Sequence, residues 1–144
     1  MTEVNSTYRR TYFVDSNIWL YAFIKTWDQN KSTTAQSIIQ KHEIIISTQV
    51  IKEVSVNLIK KASFSEEKIQ KLTKDFYRKY NVLEISENIL LKASYIREHH
   101  NFSFWDSLIL ASALYANVDI LYSEDMQDNF IIEKTRIINP FKES

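Results

Sequence analysis

Two acidic residues stand where short apolar runs end, and a carboxylate at such a position can bind a cation or move a proton. Asp15 closes the run 11–15 (TYFVD), and Asp125 follows a run that ends at Tyr122. In a parallel α/β sheet, ligands bind beyond the carboxyl ends of the strands, so we expect both carboxylates at one crevice. Each residue also has an ordinary interpretation, Asp15 as a helix N-cap or Asx turn and Asp125 as a loop acid.

Asp106 is a third candidate, because it is the single charged residue of a predicted helix over 104–117 that is apolar in every direction. A carboxylate on a buried helix is costly unless it is paired or hydrogen-bonded. The structural alternative makes Ser103 the N-cap and places Asp106 at the third helical position, where its charge favours the helix dipole. The two interpretations are compatible, since a capped helix start can also present a carboxylate to a crevice.

Glu53 is a fourth candidate, on the polar side of a predicted helix over 48–61. By itself it is typical of a solvated helix face. It lies about a turn and a half into a helix that begins just past a strand end. Its carboxylate is therefore expected to reach the same crevice.

The elements that must position these acids alternate along the chain. Strands are predicted at 11–15, 44–47, 82–85, 120–122 and 137–138, and helices at 17–26, 31–42, 48–61, 65–80, 87–100 and 104–117. This alternation predicts an α/β fold with right-handed crossovers and a mainly parallel sheet of about five strands, covered on both faces. A length of 144 residues predicts one domain over 1–144, with residues 1–9 as a flexible N-terminal extension.

Composition excludes several classes of chemistry. The chain has no Cys, which excludes disulfides, thiolate zinc sites and cysteine nucleophiles. It has no Gly, which excludes glycine-rich phosphate loops and the nucleophile elbow of serine hydrolases. Residues other than Gly must then adopt any positive backbone φ angles. Asn81, Asn101 and Asn117 each follow a predicted helix and are predicted to do so. The sequence contains no apolar run long enough to span a membrane, so we expect a cytoplasmic protein.

Charge is balanced overall but not along the chain. Residues 1–80 carry 13 Lys and Arg against 8 Asp and Glu, whereas residues 81–144 carry 5 against 10. A net charge of zero gives no general attraction to nucleic acid. The basic residues of the first half are interleaved with acids at helical spacing, which is typical of a solvated helix face.

Four short blocks carry a resemblance to a known family: FVDSN at 13–17, VIKEV at 50–54, FWDS at 104–107 and LYSED at 121–125. In this order the pattern resembles the PIN-domain nucleases, and within them the small VapC-type toxins of bacterial toxin–antitoxin pairs. It spans nearly the whole chain. The resemblance implies a PIN-like α/β/α fold of three layers and a metal-dependent endoribonuclease, a hydrolase that releases 5′-phosphate products.

The resemblance also implies which residues form the site. The positions that match the family's catalytic and metal-binding acids are Asp15, Glu53, Asp106 and Asp125, and those that match its supporting residues are Asn17 and Ser123. The chain departs from the family where a glycine commonly follows the last acid, since it has Asp128 and Asn129 there. Whether Glu124, Asp125 or Asp128 completes the site is therefore open.

Elementary chemistry agrees with such a site. Four converging carboxylates cannot all stay ionised without a cation, and oxygen ligands favour Mg²⁺ or Mn²⁺. Such ions activate a water for attack on phosphorus and neutralise the leaving oxygen.

The partners implied are an RNA substrate, a cognate antitoxin protein and a second copy of the chain in a homodimer formed through the early helices, with no membrane. Two alternatives remain. One is a catalytically silent PIN fold that binds RNA or protein, and the other is a dehalogenase-like phosphatase, whose signature would need an acid at Asn17.

Overall fold

The computed structural model describes residues 9–41 and 43–142. The predicted extension over 1–9 lies outside this part of the chain, except for Arg9. Within the described residues the six strands are β1 (Tyr12–Val14), β2 (Ile44–Ser47), β3 (Asn81–Leu83), β4 (Ile120–Tyr122), β5 (Ile131–Ile132) and β6 (Thr135–Ile138). The six helices are α1 (Ser16–Phe23), α2 (Gln29–Ile39), α3 (Thr48–Ala62), α4 (Glu66–Lys79), α5 (Glu87–His99) and α6 (Phe104–Tyr115). None of the described helices is long and apolar enough to cross a membrane.

All six strands belong to one sheet, in the order β3-β2-β1-β4-β6-β5. The first five strands of this order are parallel, and β5 runs antiparallel to β6. The order reverses direction between β1 and β4, which are neighbours although more than a hundred residues separate them in sequence. Ligand sites of parallel α/β sheets form at such a switch point, beyond the carboxyl ends of the two strands.

The sheet is covered on both faces. Phe13 and Val14 are adjacent in β1 and point to opposite faces, and both are fully buried. Ile120 and Leu121, adjacent in β4, are likewise buried. Helix α1 packs against α2 and α3, and α5 packs against α6. The predicted α/β fold with a mainly parallel sheet is therefore confirmed.

The sheet has one strand more than the sequence predicts. β5 has two residues and forms a hairpin with β6, in which Ile131 pairs with Arg136. Two residues are too few for a recognisable period-2 pattern, and one of them, Ile131, is exposed. The sequence of β5 therefore carries no local signal of a strand.

Helix starts follow from local sequence. Each helix is preceded by a residue whose side chain accepts a hydrogen bond from the first turn, and these N-caps are Asp15, Asp28, Ser47, Ser65, Ser86 and Ser103. These caps fix where each helix begins after a strand or loop.

The backbone conformations at the helix ends differ more from the prediction than the helix starts do. Asn117 has a positive φ of 58°, as predicted, but Asn81 and Asn101 do not, because α4 and α5 end in residues with extended backbone. The other described residues with positive φ are Glu43, Ser63, Asn129 and Glu133.

Candidate active site

Asp15 lies at the switch point of the sheet, directly after β1. Its backbone N–H donates to the carbonyl of Tyr122 at the end of β4, over 2.9 Å. Its side chain caps α1, with Oδ1 accepting from the N–H of Ser16 at 2.7 Å. The other oxygen, Oδ2, accepts from Ser123 Oγ at 2.8 Å. The N-cap interpretation of Asp15 is therefore correct, and it leaves the carboxylate at the crevice.

Burial makes this carboxylate unusual. Asp15 is 5% exposed, and burial raises its pKa to about 7. The hydrogen bonds from Ser123 and Ser16 oppose this rise in pKa, while the negative charges of Glu53 and Asp106 add to it. Glu53 and Asp106 therefore lie within electrostatic range of Asp15, although their charges contribute least to its raised pKa, and the three residues form a loose acidic cluster.

Asp106 reaches the cluster from the first turn of α6. Ser103 is the N-cap of this helix, and its Oγ accepts from the N–H of Asp106 at 3.1 Å. Burial raises the pKa of the Asp106 carboxyl, its hydrogen bond with Ser103 opposes that rise, and the charge of Asp125 adds to it. Asp106 is thus both a residue of a capped helix start and a member of the acidic cluster, as the two compatible interpretations allow.

Asp125 follows β4 and is joined to α1 through Asn17. Asn17 Nδ2 donates to Asp125 Oδ2 at 3.1 Å, and Asn17 Oδ1 accepts from the N–H of Glu124 at 3.4 Å. Asn17 therefore holds the loop after β4 against the start of α1. This contact keeps the Asp125 carboxylate within electrostatic range of Asp106.

The two other acids of this loop point elsewhere. Glu124 forms an ion pair with Lys31 of α2. Asp128 accepts from the backbone N–H of Asn139 at 2.8 Å, and Lys142 lies 4.0 Å from its other oxygen. Of the three acids that the sequence left open, Asp125 is the one that shares the environment of Asp106.

Glu53 is half-buried on α3, where Gln49 holds its side chain from one turn earlier. Gln49 Nε2 donates to Glu53 Oε2 at 3.2 Å and to the carbonyl of Trp105 at 3.3 Å. One amide therefore ties α3 to the first turn of α6. Sequence reasoning did not single out Gln49, although its spacing of four residues from Glu53 on the same helix face was a usable signal.

The donor set suits a hard divalent cation. The four acids offer carboxylate oxygens, and the raised pKa of Asp15 reflects in part a like-charge cost that a cation would remove. Among the described residues, no three His, Cys, Asp or Glu side chains are arranged so that they could hold an ion as they stand. Mg²⁺ is commonly bound through one or two carboxylates with water and substrate phosphate as its remaining ligands, and these residues fit such a site.

The fold and this crevice together define a class: an α/β protein of three layers with acidic residues at the switch point of a mainly parallel sheet. The sequence matches the profile of the PIN domain family over residues 12–130. The chain therefore belongs to the PIN-domain family. A search of curated proteins gave no significant match.

Solved structures with the same fold include several toxin–antitoxin proteins. A toxin–antitoxin complex from Klebsiella pneumoniae is similar with a TM-score of 0.69 at 20% identity, over 92% of this chain and 100% of that chain. VapC20 from Mycobacterium tuberculosis, a Sarcin-Ricin loop cleaving toxin, is similar with a TM-score of 0.64 at 15% identity, over 77% and 87%. VapBC2 from Rickettsia felis, bound to a promoter DNA fragment, gives 0.61 at 18% identity, over 88% and 96%.

Proposed function

We propose that this protein is a metal-dependent endoribonuclease that hydrolyses RNA phosphodiester bonds, and that it acts as the toxin of a toxin–antitoxin pair. The observation that carries the proposal is the buried carboxyl of Asp15 at the switch point of a PIN-domain sheet, with Glu53 and Asp106 within electrostatic range of it and Asp125 within range of Asp106. Repulsion between like charges at short range is unfavourable unless a bound ligand offsets it, and carboxylate oxygens bind divalent cations well.

The four acids would hold Mg²⁺ or Mn²⁺, which when bound supplies activation of a water and charge neutralisation at the scissile phosphate. Asn17 and Ser123 keep Asp125 and Asp15 in place through their hydrogen bonds. The hydroxyl of Ser123 donates a hydrogen bond to Asp15 Oδ2, and this bond fixes the orientation of the carboxylate. Gln49 orients Glu53 in the same way from the preceding turn of α3.

The test is cleavage of a mixed single-stranded RNA pool by purified protein with Mg²⁺, with Mn²⁺ and with chelator. We expect cleavage with either metal and none in chelator. Asp15→Asn and Asp106→Asn should each lose at least about a hundredfold in rate, as removal of a main electrostatic contribution does. Glu67→Gln, which alters an exposed acid of α4, is the matched control and should cut like wild type.

Two results would contradict the proposal. Undiminished cleavage by both Asn variants would remove the acidic cluster from the reaction. A wild-type protein that binds RNA but cuts none with either metal would instead favour the catalytically silent binding module.

Two protein partners follow from the same proposal. An antitoxin would place Arg or Lys among the carboxylates of the crevice, because a charge-assisted pair there competes with both cation and substrate. A second copy of the chain would cover exposed apolar side chains such as those of Leu90, Leu91 and Tyr95 on α5. The solved structures with this fold include toxin–antitoxin complexes, which supports the antitoxin partner.

A further inference from the structure

Two large exposed aromatic side chains precede Asp106 of the acidic cluster at the start of α6. Phe104 and Trp105 open α6 immediately before Asp106, and they are 50% and 62% exposed. No other large apolar side chain of the described residues is more exposed than that of Trp105. Burial of the exposed indole would be favourable, and Trp105 is tied to the cluster through Gln49, whose amide donates both to the Trp105 carbonyl and to Glu53.

The surroundings hold this pair of rings in place. Phe104 and Trp105 meet edge to face, with ring centroids 5.1 Å apart. The guanidinium of Arg97 lies 4.5 Å from the centroid of the Phe104 ring and donates to Ser107 Oγ at 2.7 Å. The carbonyl of Trp105 accepts from Gln49 Nε2. Contacts from α3 and α5 therefore fix the start of α6, and the indole projects from a rigid base.

The charge of the crevice limits what the ligand can be. A phosphodiester that approaches Asp15, Glu53, Asp106 and Asp125 meets four acidic side chains. Electrostatic attraction of the backbone is therefore weak at this site until a cation is bound. Uncharged contacts must contribute to substrate affinity, and a nucleobase has an apolar face of the size of an indole.

We propose that Trp105, supported by Phe104, is a stacking platform for one unpaired base next to the scissile phosphate. This inference rests on the proposed ribonuclease function and extends it to the form of the substrate. Stacking on aromatic side chains is the usual way in which proteins bind unpaired RNA bases, and it tolerates any base. A base inside a duplex has no free face, so the platform selects single strands and loops.

The first experiment measures KM and kcat on a single-stranded oligonucleotide with Mn²⁺. Trp105→Ala should raise KM about tenfold or more, in line with the loss of one stacked base. Trp105→Phe should restore most of the affinity, since it keeps an aromatic face. Tyr115→Ala is the matched control, because Tyr115 is 56% exposed at the opposite end of the same helix. It should leave KM unchanged.

Salt and abasic substrates distinguish a lost stacking contact from a lost phosphate contact. The ratio of KM between Trp105→Ala and wild type should stay constant as salt is raised, because stacking neutralises no phosphate. In a series of oligonucleotides that each lack one base, loss of the base at one position beside the cleaved bond should raise KM for wild type. The same substrate should not raise KM any further for Trp105→Ala.

Three results would contradict the stacking platform, and they differ in what they imply for the ribonuclease function. If wild type cuts RNA and Trp105→Ala has the same KM, the platform is wrong and the ribonuclease function stands. If Trp105→Ala keeps its KM but turns a dimer into a monomer in light scattering, a second copy covers the indole. If wild type cuts no RNA, the proposed function itself fails, and the platform fails with it.

Discussion

At the scale of single residues, the buried carboxyl of Asp15 should make the stability of the metal-free protein depend on pH. Its pKa is about 7 in the folded protein and near 4 in an unfolded chain, so the folded state binds more protons between these values. Stability contributed by this group is therefore present at low pH and is lost as pH rises towards 7. From about pH 5 to about pH 8, the free energy of unfolding should fall by about 2 to 3 kcal/mol more in wild type than in Asp15→Asn.

The measurement is urea unfolding of both proteins in chelator at each pH. Asp15→Asn supplies the control, because it keeps the shape of the side chain and removes its titration. If the difference in unfolding free energy between the two proteins does not change with pH, burial has not raised the pKa of Asp15. A difference that grows in the opposite direction would mean that the carboxylate is stabilised by a partner.

The loop after β4 gives a second prediction at this scale, on which of its acids serves the reaction. Asp125→Asn should lower kcat by at least about tenfold, because Asp125 shares the environment of Asp106. Glu124→Gln should keep kcat within about twofold, since its carboxylate is paired with Lys31. Single-turnover cleavage assays of the two variants decide this. Equal losses in both would place the whole loop, rather than one carboxylate, in the site.

At the scale of elements, a chain without glycine carries strain where a helix must end in a left-handed residue. Ser63 ends α3 with φ of 56° and ψ of 36°. Ser63→Gly removes a steric cost of about 1 to 2 kcal/mol and adds an unfolded-chain entropy cost of about 0.4 to 1 kcal/mol. We therefore expect a net gain in unfolding free energy of about 0.5 to 1 kcal/mol.

Ser65, two residues later, is the matched control for this prediction. Its Oγ accepts from the N–H of Lys68 as the N-cap of α4. Ser65→Ala should therefore cost about 1 kcal/mol. Chemical unfolding of both variants should show opposite signs within one short loop. A destabilised Ser63→Gly would mean that chain entropy outweighs the backbone strain of this helix end.

At the scale of the whole molecule, the exposed apolar side chains of α5 predict self-association. Leu91 is 61% exposed, and Leu90 and Tyr95 are exposed beside it on the same helix. Leu91→Lys should convert the expected dimer into a monomer at high micromolar concentration in light scattering, because a charge in an apolar interface is left without a partner. Lys79→Glu, a charge reversal on the surface of α4, should not. A wild-type monomer under these conditions would contradict the homodimer.

Much of this protein follows from local sequence. Apolar runs and helical periodicity predict five of the six strands and all six helices of the described chain, and serine and aspartate caps explain where the helices begin. Asp15, Asp106 and Asp125 could also be recognised as candidates from the sequence, because a charge near a strand end or on an apolar helix is unusual. These signals are local, since they depend on the burial pattern and hydrogen bonding of a few neighbouring residues.

Tertiary structure decided how the elements meet. The pairing of β1 with β4 brings Ser123 to Asp15 across 108 residues, and no local pattern specifies which strands are neighbours. The proposal that Asp125 rather than Glu124 belongs to the site depends on Lys31, which α2 brings to Glu124. Residue types and spacing determine which groups are available, whereas long-range packing determines which of them share an environment, because electrostatic coupling depends on distance in space.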